Sequence, residues 1–115
     1  MKASVRLLSL LLLFSLLFSL LSCASTIERA ARILEKEGFT VTYREENLHA
    51  HLSATLKATR PGEWLDIYVF KEKENAEAMY QSMLSSYEHL PNMVAVLEDT
   101  TVIHGHRTAY LLIEK

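Results

Sequence analysis

The stretch SATLKATRPGEWLDIYVF, residues 53–70, decides the fold of this chain. Its two halves, 53–59 and 64–70, alternate between apolar and polar residues, as half-buried β-strands do. Between them stands Arg60-Pro61-Gly62-Glu63. Pro presets φ and Gly tolerates a positive φ, so the pair suits the middle of a tight turn. The stretch therefore predicts a β-hairpin.

The turn also predicts which residues of the hairpin lie opposite each other. If Arg60 faces Glu63, all aliphatic pairs fall on one face of the hairpin, and polar and aromatic pairs fall on the other. The aliphatic pairs are Ala58–Leu65, Leu56–Ile67 and Ala54–Val69; the others are Thr59–Trp64, Lys57–Asp66, Thr55–Tyr68 and Ser53–Phe70. A slip by one residue would mix the two faces, so the pattern selects this register.

Two helices and a further strand are predicted around the hairpin. Ser25 and Glu28 form a capping box that opens a helix, and Gly38 ends it. Residues 39–44 alternate as a strand. Asn75 is predicted to cap a second helix, which ends before Pro91.

The C-terminal quarter is predicted to return to the sheet. Residues 94–97 form a strand that continues at 101–103 after a bulge or turn. His104-Gly105-His106 is interpreted as a turn and 109–113 as a final strand, with a short C-terminal helix as the alternative. The fold class is then α+β: an antiparallel sheet in the order α-β-β-β-α-β-β, with the two amphipathic helices packed on one face.

The first 22 residues have the pattern of an export signal. Lys2 and Arg6 precede an uncharged run of 15 residues, 7–21, made of Leu, Phe and Ser. A permanent membrane helix needs roughly 20 residues, whereas a short apolar core behind a basic start is typical of a signal peptide.

The sequence Leu20-Leu21-Ser22-Cys23 resembles the lipobox of bacterial lipoproteins. The resemblance implies a signal peptide over 1–22, diacylglycerol on the sulfur of Cys23, and one extracytoplasmic domain over 23–115. It also implies a lipid anchor in the cell membrane or an outer membrane, because two or more acyl chains hold a protein stably. The alternative is an ordinary signal peptide or an uncleaved anchor, with Cys23 incidental.

The rest of the chain is similar to small uncharacterised bacterial lipoproteins. The similarity rests on the first helix, the strand at 39–44, the hairpin and the phrase ENAEAMYQSM at 74–83. It implies an envelope location and this layout, and it carries no activity or catalytic residue. IHGHRTAYLL at 103–112 also resembles terminal hairpins of extracytoplasmic α+β modules, which favours a strand there.

Composition excludes some classes of partner and of bond. The chain has 12 Lys and Arg against 14 Asp and Glu, and because Lys2 and Arg6 lie in the leader, the remainder carries about −4. It has no basic cluster of the kind that binds nucleic acid. Cys23 is the single cysteine, so an intramolecular disulfide is excluded.

An aromatic row on the hairpin is the leading candidate for a binding surface. Trp64, Asp66, Tyr68 and Phe70, with Lys57 beside them, are expected on the sheet face away from the helices. An apolar patch rimmed by polar groups is typical of a partner or ligand surface. The alternative is that a connection such as 45–52 folds over this face and makes it a minor core.

Histidines are the second candidate. His49 and His51, and likewise His104 and His106, form His-x-His pairs, which on a strand project from one face and can share a metal ion. The alternative is that they occupy loops and turns.

Signals for an enzyme are weak. The sequence contains no Gly-rich phosphate loop, nucleophile elbow or HExxH motif. Asp66 with a histidine is the one candidate acid–base pair, for a weak hydrolase. We therefore expect a non-enzymatic binding or accessory module, with an envelope protein as partner and no cofactor beyond its lipid.

Lipidation at Cys23 gives a direct test of the leader. We expect intact-mass analysis of the native protein to show a chain that begins at Cys23 and carries acyl lipid. The variant Cys23→Ser should keep residues 1–22 or lose its lipid-dependent membrane retention. Native protein that retains Met1, or carries no fatty acid at position 23, would contradict the interpretation.

Overall fold

The computed structural model describes residues 27–45 and 50–114. The described residues form three helices and five strands, in the order α1 (residues 27–36 as described), β1 (Thr40–Arg44), β2 (Leu52–Arg60), β3 (Glu63–Phe70), α2 (Lys73–Ser86), β4 (Met93–Glu98), β5 (Thr101–His106) and α3 (Arg107–Glu114). The strands form one antiparallel sheet in the order β1-β2-β3-β5-β4. The predicted α+β class with an antiparallel sheet is confirmed.

The predicted hairpin register is confirmed from the turn to Ala54. Arg60 faces Glu63 and each pair follows in order as far as Ala54–Val69. Gly62 has φ +80°, which suits the third position of the turn. The pair Ser53–Phe70 is wrong, because a bulge between Leu52 and Ala54 places Leu52 opposite Phe70.

Helix α1 ends as the sequence predicts. Gly38 has φ +92°, its N–H donates to the Glu35 carbonyl at 3.1 Å, and the Phe39 N–H donates to the Leu34 carbonyl at 2.9 Å. These two bonds form a Schellman motif, which requires the left-handed conformation that Gly adopts easily. The predicted capping residue Ser25 lies outside the described residues.

Arg60 ties the hairpin turn to the end of α1. Its guanidinium lies 4.4 Å from the centre of the Phe39 ring and donates to the Glu37 carbonyl at 2.5 Å. It also pairs with Glu63 at 2.6 Å, and the other carboxylate oxygen of Glu63 accepts a 2.6 Å bond from the Thr108 hydroxyl in α3. Thr108 and Arg60 lower the pKa of Glu63. One carboxylate thus connects the turn to α3.

The α1 face of the sheet carries the aliphatic core and is covered by α1 and α3. Ile27, Ala30 and Leu34 from α1 and Ala109 from α3 belong to this core. Phe39, directly before β1, and six strand residues complete it: Ala54, Leu56, Ala58, Leu65, Ile67 and Ile103. The leucine and isoleucine side chains among these each contribute roughly 1.5–3 kcal/mol when fully buried.

Helix α2 covers the opposite face, here called the α2 face. Ala76 of α2 and Val102 of β5 are both fully buried, and neither belongs to the core on the α1 face. The Tyr87 hydroxyl, directly after α2, bonds to His104 on β5. Two helices do share one face, but they are α1 and α3. The expectation that the first two helices lie together is wrong, because both faces of β3, β4 and β5 carry side chains that must be buried.

Helix α2 begins earlier than predicted and without the predicted cap. It starts at Lys73, with Glu72 at the capping position and no capping bond from a side chain. The Asn75 amide instead lies 3.1 Å from His51 Nδ1. The predicted cap is wrong because Asn75 has a tertiary partner on the chain before β2.

The predictions for the C-terminal residues differ most from the structure. Residues 104–106 are not a turn: β5 continues through His106, because it lies between β3 and β4 and pairs with both. Residues 107–114 form α3, the alternative interpretation, rather than a strand. Ala109, Leu112 and Ile113 pack on the core at i, i+3 and i+4, and a run this short does not distinguish helix from strand.

Among the described helices, none combines the length and apolar character that crossing a membrane requires.

Gly105 and Gly38 provide a matched test of backbone constraint. A Cβ at Gly105, where φ is +145°, would lie 2.5 Å from the Trp64 carbonyl oxygen, whereas one at Gly38 would meet nothing within 4 Å. We expect Gly38→Ala to lower the free energy of unfolding by about 1 kcal/mol from backbone strain alone. Gly105→Ala should lower it by about 3 kcal/mol, because steric overlap is added to the strain. Urea denaturation measures both; equal losses would contradict the close approach of β3 and β5.

Candidate functional site

The candidate site is a row of side chains across the middle of the α2 face. Lys57 on β2 lies opposite Asp66 on β3, and Asp66 lies opposite His104 on β5. Directly opposed residues of an antiparallel pair have Cβ atoms about 4.5–5.5 Å apart. An ammonium, a carboxylate and an imidazole therefore follow one another along a line perpendicular to the strands.

His104 is buried within this row and surrounded by aromatic rings. Only 6% of its surface is exposed, and its Nδ1 lies 2.8 Å from the Tyr87 hydroxyl. The Tyr68 ring stacks on it at 5.6 Å with an interplanar angle of 7°, and the Trp64 ring meets it edge-on at 5.4 Å. Among the described residues, no group accepts from or donates to its buried Nε2 atom.

Burial dominates the electrostatics of the row. Burial lowers the pKa of His104, an effect that the Asp66 carboxylate opposes and Lys57 reinforces. Burial raises the pKa of Asp66 against the pull of His104 and Lys57. Burial also raises the pKa of Tyr68 and of Tyr87, with Asp66 as the largest charge contribution to both. For His104, Asp66, Tyr68 and Tyr87, burial therefore shifts the pKa toward the neutral form, as expected where a low local dielectric penalises charge.

Trp64 is held at one end of the site by the second histidine of the strand. Its backbone N–H donates to His106 Nδ1 at 3.0 Å, and the two rings meet edge-on with centroids 5.8 Å apart. Together with the edge contact to His104, these contacts position Trp64 while its side chain stays partly exposed.

The predicted aromatic row lies at a boundary rather than on an open face. Trp64, Asp66, Tyr68 and Phe70 are all partly buried, because α2 covers the neighbouring strands β4 and β5. The expectation that this face lies away from the helices is wrong. Among the described residues the covering element is α2; the alternative, cover by the 45–52 connection, falls partly on residues 46–49, which lie outside the described part of the chain.

Beyond this boundary, the α2 face is open and polar. On β1 and β2 it presents exposed side chains: Thr40, Thr42, Arg44, Lys57 and Thr59. The partly buried aromatic row on β3 meets this exposed polar surface at β2, where Lys57 and Thr59 lie opposite Asp66 and Trp64.

The three candidate metal-binding histidines that the structure describes, His51, His104 and His106, do not converge on one point. His104 and His106 share a face of β5, but His51 lies beside Lys71, whose N–H donates to the His51 carbonyl. Asp66 is the residue opposite His104, and Lys71 follows it by five positions. At roughly 3.3 Å per residue, His51 and His104 are therefore about 16 Å apart along the strand direction. Within residues 27–45 and 50–114, no group of three or more His, Cys, Asp or Glu is arranged to hold a metal ion. His49 lies outside that part, so its contribution stays a prediction.

A cleft of about 250 Å³ lies elsewhere, between α1 and the edge strand β1. Ile27, Ala31 and Tyr43 line it, with Glu28 and Arg32 at its rim. Burial and the neighbouring Glu45, to which the Tyr43 hydroxyl donates, raise the pKa of Tyr43 to about 12. The cleft lies on the opposite side of the sheet from Asp66 and His104, so it does not expose that pair to a substrate.

Sequence reasoning selected Trp64, Asp66, Tyr68 and Lys57 but missed how His104 and Tyr87 join them. Tyr87 fell within the predicted second helix, between Asn75 and Pro91, and no feature of the sequence singled it out. The signal for His104 was its alternation with Val102 on a strand, which the interpretation of 104–106 as a turn concealed. Cys23 lies outside the described residues, so its lipidation stays a prediction.

Comparison with known proteins adds no relative: no family model matches the chain, nor does any curated protein or solved structure.

The Tyr87–His104 bond can be tested by removing one hydroxyl. Tyr87→Phe leaves the buried His104 Nδ1 without its partner, so we expect it to lower the free energy of unfolding by about 1–3 kcal/mol. Tyr80→Phe on the same helix is the control and should change it by less than about 0.5 kcal/mol. Denaturation midpoints report the difference; equal effects would argue that the bond contributes little.

Proposed function

We propose that this chain is a non-enzymatic, lipid-anchored module outside the cytoplasm that binds an envelope protein through the boundary strip of its α2 face. The boundary strip is defined as Trp64, Asp66 and Tyr68 of the aromatic row together with the exposed Lys57, which lies opposite Asp66 on β2. The proposed location is supported by the leader and by its resemblance to a lipobox ending at Cys23. The anchor is expected in the cell membrane or, in a cell that has one, the outer membrane.

The observation that carries the proposal is the combination of partial exposure and fixed position in the strip. Trp64 and Tyr68 are partly exposed, yet ring contacts to His104 hold both. Large aromatic side chains that are already ordered lose little entropy on binding, which makes them effective anchors. Lys57 and Asp66 add charges of opposite sign that favour one orientation of a partner.

A protein partner fits this strip better than a lipid surface does. The domain after the leader carries a net charge of about −4, so anionic headgroups repel it, and the acyl chains would supply the attachment. The open threonine-rich part of the face beside the strip offers hydroxyl groups that can bond to a second polypeptide.

The surroundings of the His104 and His106 rings support a role without catalysis. The His104 imidazole is buried and bonded to Tyr87, and His106 Nδ1 accepts a backbone N–H. An acid–base group must reach the proton that it transfers, and these nitrogens face the protein interior or its backbone.

Crosslinking in intact cells, read by mass spectrometry, tests the binding surface. We expect the full chain to give a defined crosslinked envelope protein, and Trp64→Ala with Tyr68→Ala to reduce that product at least about 30-fold, the effect of losing a 2 kcal/mol anchor. Lys57→Glu should reduce it as well.

Lys36→Glu is the matched control, because Lys36 is an exposed lysine on α1. Circular dichroism and a denaturation midpoint must show that each variant is folded. Folded variants of the strip that keep the same crosslinked partners as the unchanged protein would contradict the proposal.

A further inference from the structure

The C-terminal end of α2 is attached to the sheet through few groups. Leu84 is 39% exposed, Ser85 and Ser86 are exposed, and so are residues 88–92. Met83 in the last turn and Tyr87 directly after it are partly buried, and the Tyr87 hydroxyl bonds to His104 at 2.8 Å. The attachment therefore depends strongly on one hydrogen bond and the packing around it.

His104 fits its position only as a neutral ring. An imidazolium carries an N–H on both nitrogens. Whichever tautomer the neutral ring adopts, added charge would leave a buried Nε2–H that has no acceptor among the described residues. A buried charged donor without an acceptor is much more costly than a neutral one.

We propose that His104 and Tyr87 form a proton-operated latch, in which uptake of one proton by His104 releases the end of α2 from the sheet and opens to water the surroundings of the Trp64 and Tyr68 rings, which contact His104. The proton comes from solvent and stays on the imidazole, so no other reactant is needed. The latch follows from packing alone and holds whether or not the strip binds a partner.

Thermodynamic linkage gives the direction of the effect. Burial lowers the pKa of His104 in the latched state, and release into water returns it toward its ordinary value of about 6.5. The released state therefore binds more protons than the latched state, so acid favours release. The latched state is fully favoured above pH 6.5 and loses stability as pH falls toward the lowered pKa.

Four neighbouring groups modify this balance. Lys57 on β2 lowers the pKa of His104 further, and Asp66 on β3 raises it by less than burial lowers it. The Tyr68 and Tyr87 rings face it as neutral phenols, since burial raises the pKa of both. The raised pKa of Asp66 acts with the opposite sign: its proton uptake favours the latched state as pH falls, so Asp66 cannot by itself cause release in acid.

Trp64 provides the readout, because it is the single tryptophan of the chain. The full chain in detergent micelles is titrated from pH 7.5 to 5, and Trp64 emission is followed together with hydrogen exchange of the peptide around Tyr87. We expect a red shift of the emission as pH falls. Exchange protection of the Tyr87 amide, which bonds to the Met83 carbonyl, should fall about tenfold for each pKa unit between the two states.

Three variants separate His104 from its neighbours. His104→Gln should remove the pH dependence of both signals, whereas His106→Gln and Asp66→Asn should keep it. If His104→Gln does not fold, Tyr87→Phe is used instead. In that variant the hydrogen-exchange protection of the amide at position 87 should be low at every pH and depend less on pH. A His104 ring that titrates while Tyr87 protection and Trp64 emission stay constant would overturn the latch, as would an unchanged pH response in His104→Gln.

Discussion

The cross-strand register of β2 and β3 is the constraint on which the rest of the structure depends. Because side chains alternate along a strand, pairing Arg60 with Glu63 assigns every later residue of the hairpin to one face. Leu56, Leu65 and Ile67 go to the α1 face, while Lys57, Asp66 and Tyr68 go to the α2 face. β1 and β5 then extend the same assignment across the sheet.

The two faces bury different chemistry and are expected to behave differently. The aliphatic contacts of the α1 face carry no charge, so pH acts on this face mainly through the Glu63 carboxylate beside the hairpin turn, whose pKa is lowered by Thr108 and Arg60. The α2 face combines rings with the His104 imidazole, the Asp66 carboxylate and the phenols of Tyr68 and Tyr87, and burial shifts the pKa of these four groups. Polar networks of this kind respond strongly to the gain or loss of one partner. The proposed binding strip and the proposed latch share this face for that reason.

The three helices cover the two faces of the sheet to different extents. α1 and α3 cover one face and are tied to the hairpin turn through Arg60 and Glu63. α2 covers only part of the other face, so β1 and β2 keep an exposed polar surface there. A boundary results along β3, where side chains are fixed by neighbours and still reach solvent. Such positions combine order with access, which a binding surface requires.

The sequence by itself determined what local chemistry controls: the turn at Pro61 and Gly62, the hairpin register as far as Ala54, and the end of α1 at Gly38. It also selected Trp64, Asp66 and Tyr68, because alternation separates them from the aliphatic face. Only the tertiary structure decided that α2 covers the face opposite α1, that residues 107–114 are helical, and that His104 is buried against Tyr87. Those outcomes depend on which surfaces remain uncovered once five strands have paired, and pairing between distant segments leaves little local signal in the chain.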